Sequence, residues 1–323
     1  MCTYNGERHL PEQFASFAAQ TRLPDELVVC DDGSTDATPQ ITRNFAGSAP
    51  FSVSLYTNEQ NLGPTKNFER AIGLCTGDFI ALSDHDDVWQ SQKLAELEAE
   101  FDRAPHIGLI FTDAEIIDES SRPTGQTLWG KLPLRQAERE RLRSDRAVGE
   151  LLQGSMVTGA TMAFRARFKE LVLPIPDYLP IIHDGWIALL VAAVSEVLPL
   201  PAALIKYRQH RGQQVGARER RGPGPPQESV AESMHNALQR ENPYSEVLAV
   251  AGAVRTRLLE KRAAFESGNV LARLEDRIAH LETRSSLPPS RLGRAPRVFR
   301  ELITGRYHHY AKGVQSAIKD LLA

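Results

Sequence analysis

Three carboxylates fall within four residues at Asp84-His85-Asp86-Asp87, directly after the apolar run Phe79-Ile-Ala-Leu82 and before Trp89. Like charges that close repel unless solvent, a helix terminus or a cation offsets them. Hard divalent ions such as Mg2+ and Mn2+ take oxygen ligands and share them with phosphates. An Asp-x-Asp step at a strand end therefore points to a metal that holds a phosphorylated ligand, although solvated loops also contain such triplets. A second acidic step, Asp31-Asp32-Gly33-Ser34-Thr35-Asp36, ends the apolar run Leu27-Val-Val-Cys30. Gly33 permits a turn there, and Ser34 or Asp36 can cap the next helix. A strand-end carboxylate can also accept a hydrogen bond from a pyrimidine N–H. His183-Asp184-Gly185-Trp186 opens an apolar stretch. Taken alone, Asp184 fits a helix N-cap best; the functional alternative is a general base, a role worth about 10²–10⁴-fold in rate. In Tyr207-Arg208-Gln209-His210-Arg211 the cations read either as a solvated turn or as a clamp. In the clamp, Arg208, His210 and Arg211 hold a diphosphate, or His210 lends a nitrogen to its metal.

The elements that must position these groups alternate. Helical patterns cover 10–20, 38–45, 64–75 and 91–103, and strand-like runs cover 26–30, 51–56, 78–82 and 107–112. Such alternation predicts βαβ units and a largely parallel sheet, in which ligands bind beyond the carboxyl ends of the strands. Both acidic steps lie at such ends. Residues 121–150 read as a polar loop with a helix from about 144. Small residues over 154–164 read as a strand, and another strand-like stretch ends at Arg208. The segment 218–228 (RERRGPGPPQE) reads as a linker. Residues 229–283 show helical periodicity, as at Val247, Ala251, Val254, Leu258 and Phe265.

Composition narrows the class. With 41% apolar and 24% charged residues the chain is globular rather than disordered. A net charge of −3 excludes a general nucleic-acid binder, but residues 217–323 carry 18 Lys/Arg against 12 Asp/Glu. The remainder is therefore acidic, which suits a metal site, and the tail is basic, which suits an anionic surface. Cys2, Cys30 and Cys75 give neither an even framework nor metal spacing and read as cytosolic thiols. The longest apolar run, Trp186 to Val194, is far short of the roughly 20 residues that span a bilayer. Any membrane contact is thus expected to be peripheral.

In order and spacing, seven segments resemble family 2 glycosyltransferases, most closely the bacterial rhamnosyltransferase-like branch. They are Cys2-Thr-Tyr-Asn-Gly6, Asp31-Asp-Gly-Ser-Thr-Asp36, Asn61-Leu-Gly63, Gly77-Asp78, Ser83-Asp-His-Asp-Asp-Val-Trp89, His183-Asp-Gly-Trp186 and Tyr207-Arg-Gln-His210. The resemblance implies an α/β fold of GT-A type, Rossmann-like with a mostly parallel sheet and flanking helices. In it, Thr3 and Tyr4 line the base pocket, Asp32 bonds the base and Lys66 matches a basic position near the nucleotide. Asp84 approaches ribose and metal, Asp86 ligates the metal, His210 adds a metal or diphosphate contact, and Asp184 is the base. Mg2+ or Mn2+ is the implied cofactor. The implied reaction inverts the anomeric carbon of a nucleotide sugar, with dTDP-rhamnose the donor pointed to. The acceptor is a saccharide or lipid-linked saccharide in surface polysaccharide synthesis, at the cytoplasmic face of the membrane.

The chain departs from the family pattern in three places. His85 replaces the usual Gln between the paired aspartates, and Gly185 replaces a bulky residue after the base. The apolar strand usually found before Cys2 is nearly absent, which reads either as a late start or as a truncated strand. A sugar nucleotidyltransferase and a non-catalytic or degraded nucleotide-sugar-binding relative are the rival readings. The expected organisation is a catalytic domain over 1–217, a linker over 218–228 and a basic helical extension over 229–323.

Overall fold

Strand β2 (Glu26–Asp31) is built on Val28, Val29 and Cys30, which lose nearly all their surface. A continuous apolar run of this kind suits a strand covered on both faces. It pairs in parallel with β1 (Cys2–Thr3) on one side and β3 (Ser52–Thr57) on the other. Helices α1 (Leu10–Ala18) and α2 (Thr38–Ala46) make the crossovers. Each carries proline in its first turn, where the missing N–H has no intrahelical partner to lose. Helix α3 (Pro64–Leu74) then leads to β4 (Phe79–Ala81), and β5 (Val88–Trp89) precedes α4 (Lys93–Arg103). The Cys2 N–H donates to Ser83 O at 3.2 Å, and Leu82 N–H to Met162 O at 2.9 Å. Hydrogen bonding thus continues from β1 into the segment after β4.

The computed structural model describes residues 1–154, 157–210 and 244–322, in two compact units, Met1–Arg220 and Arg221–Ala323. The second sheet of the first unit contains β4, β5, β6 (Ile107–Ile117), β8 (Met162–Arg165) and β9 (Glu196–Arg208), in the order β4-β8-β6-β9-β5. Strand β7 (Pro123–Thr127) pairs with β6. The core of this sheet is packed from Ile107, Ile110 and Ala163 against Leu97 and Phe101 of α4. The α/β fold expected from the sequence is present, and its second sheet adds antiparallel pairs. Parallel pairing covers β1–β2–β3 and β6–β9, whereas β4–β8, β6–β8, β6–β7 and β5–β9 are antiparallel. For β6–β7 the reason is connectivity: the 118–122 turn is short enough only for an antiparallel return, and β7 lies in the stretch read as loop.

That stretch also holds α5 (Leu128–Lys131), α6 (Gln136–Leu142) and α7 (Ala147–Leu151). Few apolar residues hold them, among them Leu128, Leu134 and Leu142, all buried. Scattered among charges, they leave little periodicity to read. Short α8 (Lys169–Val172) and α9 (His183–Val194) complete the unit. Helix α9 is buried along most of its length, and Trp186 anchors it by donating Nε1–H to Val172 O at 2.8 Å.

The second unit contains α10 (Ser245–Glu260), α11 (Val270–Ser285), α12 (Arg291–Ile303), α13 (Arg306–Tyr310) and α14 (Val314–Leu322). Of the periodic set, Ala251, Val254 and Leu258 are buried on α10, while Phe265 lies beyond its end. The last helices are separated at Gly305 and Gly313, whose φ of 77° and 59° favour glycine. Arg211, the 218–228 linker and the start of the helical run at 229 lie outside the described residues.

Candidate active site

The site is assembled where the two sheets meet. Thr3, at the end of β1, donates Oγ1–H to Asp31 Oδ1 at 2.9 Å, and Asp31 also accepts from Ser34 N and Oγ. Asp31 is thereby occupied in shaping its own turn, as is Asp36, which accepts from Thr38 N at the start of α2. The Asp32 carboxylate accepts from Asn58 Nδ2, Leu62 N and Gly63 N at 2.7–2.9 Å. Of its roughly four lone-pair sites one remains for an incoming N–H. Tyr4, next to Thr3 in sequence, stays 37% exposed.

The acidic loop, residues 84–87, is held from below. Gln13 of α1 donates Nε2–H to Ser83 Oγ at 2.7 Å and to Asp84 O at 3.2 Å. The His85 ring lies so close to Gly6 that a Cβ there would approach it to 2.4 Å. Glycine at position 6 is therefore a packing requirement, and His85 is turned toward that backbone. Asp84 has its carboxyl raised to about 7 by desolvation and then by the charges of Asp86 and Asp184. Asp87 is raised well above the usual range by burial and by Asp86 and Asp84. The buried thiol of Cys2 feels both Asp84 and Asp32, which places the two acidic steps around one point. Lys93, at the start of α4, is fully buried, and its pKa is lowered to about 7 by desolvation. Its Nζ donates to Ala160 O at 3.0 Å and lies 3.9 Å from the Trp89 ring centroid.

His210 Nε2 is 2.8 Å from Asp86 Oδ2, and its ring lies 5.2 Å from that of His9, whose pKa is lowered to about 4 by burial and then by Arg208. Among the described residues no three His, Cys, Asp or Glu side chains close into a metal cluster. Asp84 is therefore not gathered with Asp86 and His210 into the three-ligand set expected from the sequence. What exists is an open edge, Asp86 with His210, next to the Asp84 carboxyl, on which the acidic charges outweigh the opposing pull of the amino terminus and Lys93. Mg2+ suits such an edge, because it keeps water and phosphate ligands and uses only one or two carboxylates.

Asp184 is not the N-cap of α9. Ile182 holds that position, and Asp184 lies inside the first turn, buried. Its Oδ1 accepts from Gly185 N at 2.6 Å and its Oδ2 from Gly159 N at 3.2 Å. Desolvation outweighs these bonds and raises its pKa to about 6. Neighbouring His183 stacks on Phe68 at 4.0 Å, and burial pushes its pKa down to about 3, so it is neutral.

Two candidates are placed otherwise. The Lys66 ammonium pairs with Glu69 and donates to Ile175 O at 2.8 Å. Arg208, 0% exposed, is a strut behind the loop rather than a clamp in front of it. Its guanidinium donates to Asp86 O, to Glu12 Oε2 (both 2.6 Å) and to Ser121 Oγ (2.9 Å), and its backbone N–H to Asp87 Oδ1. A guanidinium shared out this way has no open fork for phosphate. Glu12, Gln13, His9 and Lys93 escape sequence reasoning because no local spacing links them to the acidic loop.

An α/β sheet with acidic strand ends, and a buried Asp184 whose charge acts on Asp84, fits a fold of GT-A type. The model described as glycosyl transferase family 2 matches residues 1–171, more than half of the chain. The chain belongs to that family. It is 28% identical over 215 residues to an uncharacterised protein of Mycobacterium tuberculosis, covering 64% of this chain and spanning 57% of the relative's length. It is similar to the Escherichia coli UDP-Glc:alpha-D-GlcNAc-diphosphoundecaprenol beta-1,3-glucosyltransferase WfgD at 33% identity over 38% of this chain and 46% of the relative. To the Shigella flexneri dTDP-rhamnosyl transferase RfbG it is 36% identical over 29% of this chain and 34% of the relative. Among solved structures, S. aureus TarS 1-349 in complex with UDP-GlcNAc matches with a TM-score of 0.57 at 18% identity, over 99% of this chain and 80% of that one.

Proposed function

We propose that the chain is an inverting, metal-dependent hexosyltransferase that moves a sugar from a nucleoside diphosphate to a saccharide or lipid-linked saccharide. The observation that carries this reading is the buried Asp184 carboxylate, with a pKa near 6 and its charge felt by Asp84. A carboxylate poised near working pH is matched to general-base work. Thr3, Tyr4 and Asp32 bind the base, with Asp32 accepting its N–H. Asp84 orients the ribose. Asp86 and His210, with Asp84 beside them, hold Mg2+ or Mn2+, which when bound neutralises the charge of the departing diphosphate. Asp184 accepts the proton of the acceptor hydroxyl as that oxygen bonds to the anomeric carbon and the bond to the nucleoside diphosphate breaks. Lys66, at the amino end of α3, contributes a cation near the nucleotide loop once its pair with Glu69 opens.

Relatives named for dTDP-rhamnose and for UDP-Glc match to similar degree. The higher identity, over a shorter stretch, supports dTDP-rhamnose as donor. The lipid diphosphate in the second name supports a lipid-linked acceptor at the cytoplasmic face of the membrane. The test is a panel of dTDP- and UDP-sugars scored for metal-dependent thermal stabilisation and then for transfer, since a ligand of the folded state raises apparent stability. A donor that stabilises the protein and is never turned over with any saccharide would favour a binding protein instead.

A further inference from the structure

In the second unit, the last helices divide into a buried and an exposed side. Val298 of α12 and Ala317 of α14 pack inward with Tyr307, against Leu302 and Leu321. On another face of α12 are Leu292, Phe299 and Ile303, which are 90%, 54% and 83% exposed. At 3.6 residues per turn the three lie within an arc of about 40°. On α14, Val314, Ile318 and Leu322 recur at every fourth residue and are about half exposed. The start of the α12 row lies by the end of the α14 row, where Arg291 Nη2 donates to Leu322 O at 3.3 Å. Single exposed apolar residues are ordinary, but two such rows on neighbouring helices mark an interaction face.

The charges around these rows identify the partner. From 286 to 322 the acidic residues are Glu301 and Asp320, and both are used internally. Glu301 pairs with His280 at 2.6 Å and with Arg306 at 3.0 Å, and Asp320 with Arg284 at 2.6 Å and with the Tyr307 hydroxyl at 2.7 Å. The outward charges are Arg291, Arg297, Arg300, Lys312 and Lys319, all exposed. A second copy would set like charge against like charge. A bilayer rich in anionic lipid offers negative headgroups and apolar depth in one surface.

We infer that α12 and α14 form an interfacial docking face for an anionic membrane. Phe299, Ile303 and Ile318 enter the headgroup–acyl boundary, and Arg300 and Lys319 lie among the phosphates. None of the described helices is long and apolar enough to cross. The inference deepens the reading of a lipid-linked acceptor, yet attachment is measured with neither donor nor acceptor, so the two can fail separately.

Full-length protein is pelleted with vesicles of phosphatidylglycerol and phosphatidylcholine, and with phosphatidylcholine alone, at low and high salt. Binding is expected to the anionic vesicles and to weaken with salt. Phe299→Ser with Ile303→Ser should lower partitioning by about tenfold or more. Arg300→Gln with Lys319→Gln should lower it on the order of 20-fold, about fivefold per charge. All four side chains are exposed, so circular dichroism and thermal midpoint should stay those of the wild type. Failure to pellet at low salt overturns the inference, as does pelleting that the serine pair leaves unchanged. A serine pair that turns a dimer into a monomer without altering vesicle binding assigns the face to a second copy instead. Loss of transfer activity with vesicle binding intact counts against the enzymatic reading alone.

Discussion

Asp184 is where burial and chemistry oppose each other most directly. Its pKa near 6 lies above the ordinary 3.8, so the folded state holds the proton more tightly than the unfolded chain does. The stability this contributes is complete below about pH 4 and is lost as pH rises through about 6. At pH 8 the ionised, buried carboxylate is therefore a destabilising group. Asp184→Asn should lower turnover by about 10²-fold or more with donor affinity nearly unchanged. The same variant should be more stable at pH 8 by about 1–3 kcal/mol, a gain that shrinks as pH falls through about 6 and vanishes below about pH 4. Wild-type turnover should climb about tenfold per pH unit below 6 and level off above, as the base deprotonates. Turnover within about threefold of wild type in the Asn variant would remove Asp184 from the reaction. The Asp86–His210 edge gives a second expectation. EDTA should abolish donor-induced stabilisation, Asp86→Asn should weaken donor binding by about tenfold or more, and His210→Ala by less, since one neutral ligand is lost rather than a charge. Titration calorimetry with and without Mn2+ decides this, and donor binding indifferent to EDTA would leave the edge without a metal. These side chains were legible in the sequence because each belongs to a short motif at a strand or helix end.

At the scale of elements, the strand ends do the positioning, and their supports come from far away in the chain. Arg208 ends β9, and its partner Glu12 on α1 is 196 residues distant. Local sequence could show the cation but not that it would be buried, which is why the clamp expected at Arg208 is a strut. The same limit hid β7, α5 and α6, where a few buried leucines fold a charged stretch, and it hid the antiparallel half of the second sheet, whereas α7 falls where the sequence predicts a helix from about residue 144. The β1–β3 region was legible because its apolar runs and turn residues are contiguous. Arg208→Met keeps the stem volume and removes the fork, leaving Glu12 and the Asp86 carbonyl without their donor. Glu12 is 45% exposed and is solvated in the variant, so the loss is set by the buried Asp86 carbonyl left without its donor. Urea unfolding should show a loss of about 1–3 kcal/mol, with metal-dependent donor affinity falling as the acidic loop loosens. Donor affinity that falls with no loss of stability would instead return Arg208 to the diphosphate.

For the whole molecule, the division of charge and of core suggests a division of labour. The first unit keeps its own buried strands, from Val29 through Leu109 to Ile205, and contains every candidate for catalysis and donor binding. The second unit is helical and fills its interior with Tyr307, Val298 and Ala317, together with ion pairs that consume its few late acidic residues. The basic tail was visible in composition, and Gly305 and Gly313, which interrupt its helical pattern in the sequence, take positive φ where the last helices separate. A chain ending at residue 220 should therefore fold cooperatively on its own, since a unit with its own core can be stable alone. Its nucleotide-sugar-induced rise in thermal midpoint should match that of the full chain to within about 2 °C, because mass action depends only on the donor site. Differential scanning fluorimetry with the donor and Mn2+ measures both quantities. A truncated chain that unfolds cooperatively but no longer responds to donor would mean that the helical unit completes the donor site. One that fails to fold would mean that the first unit depends on the second for stability.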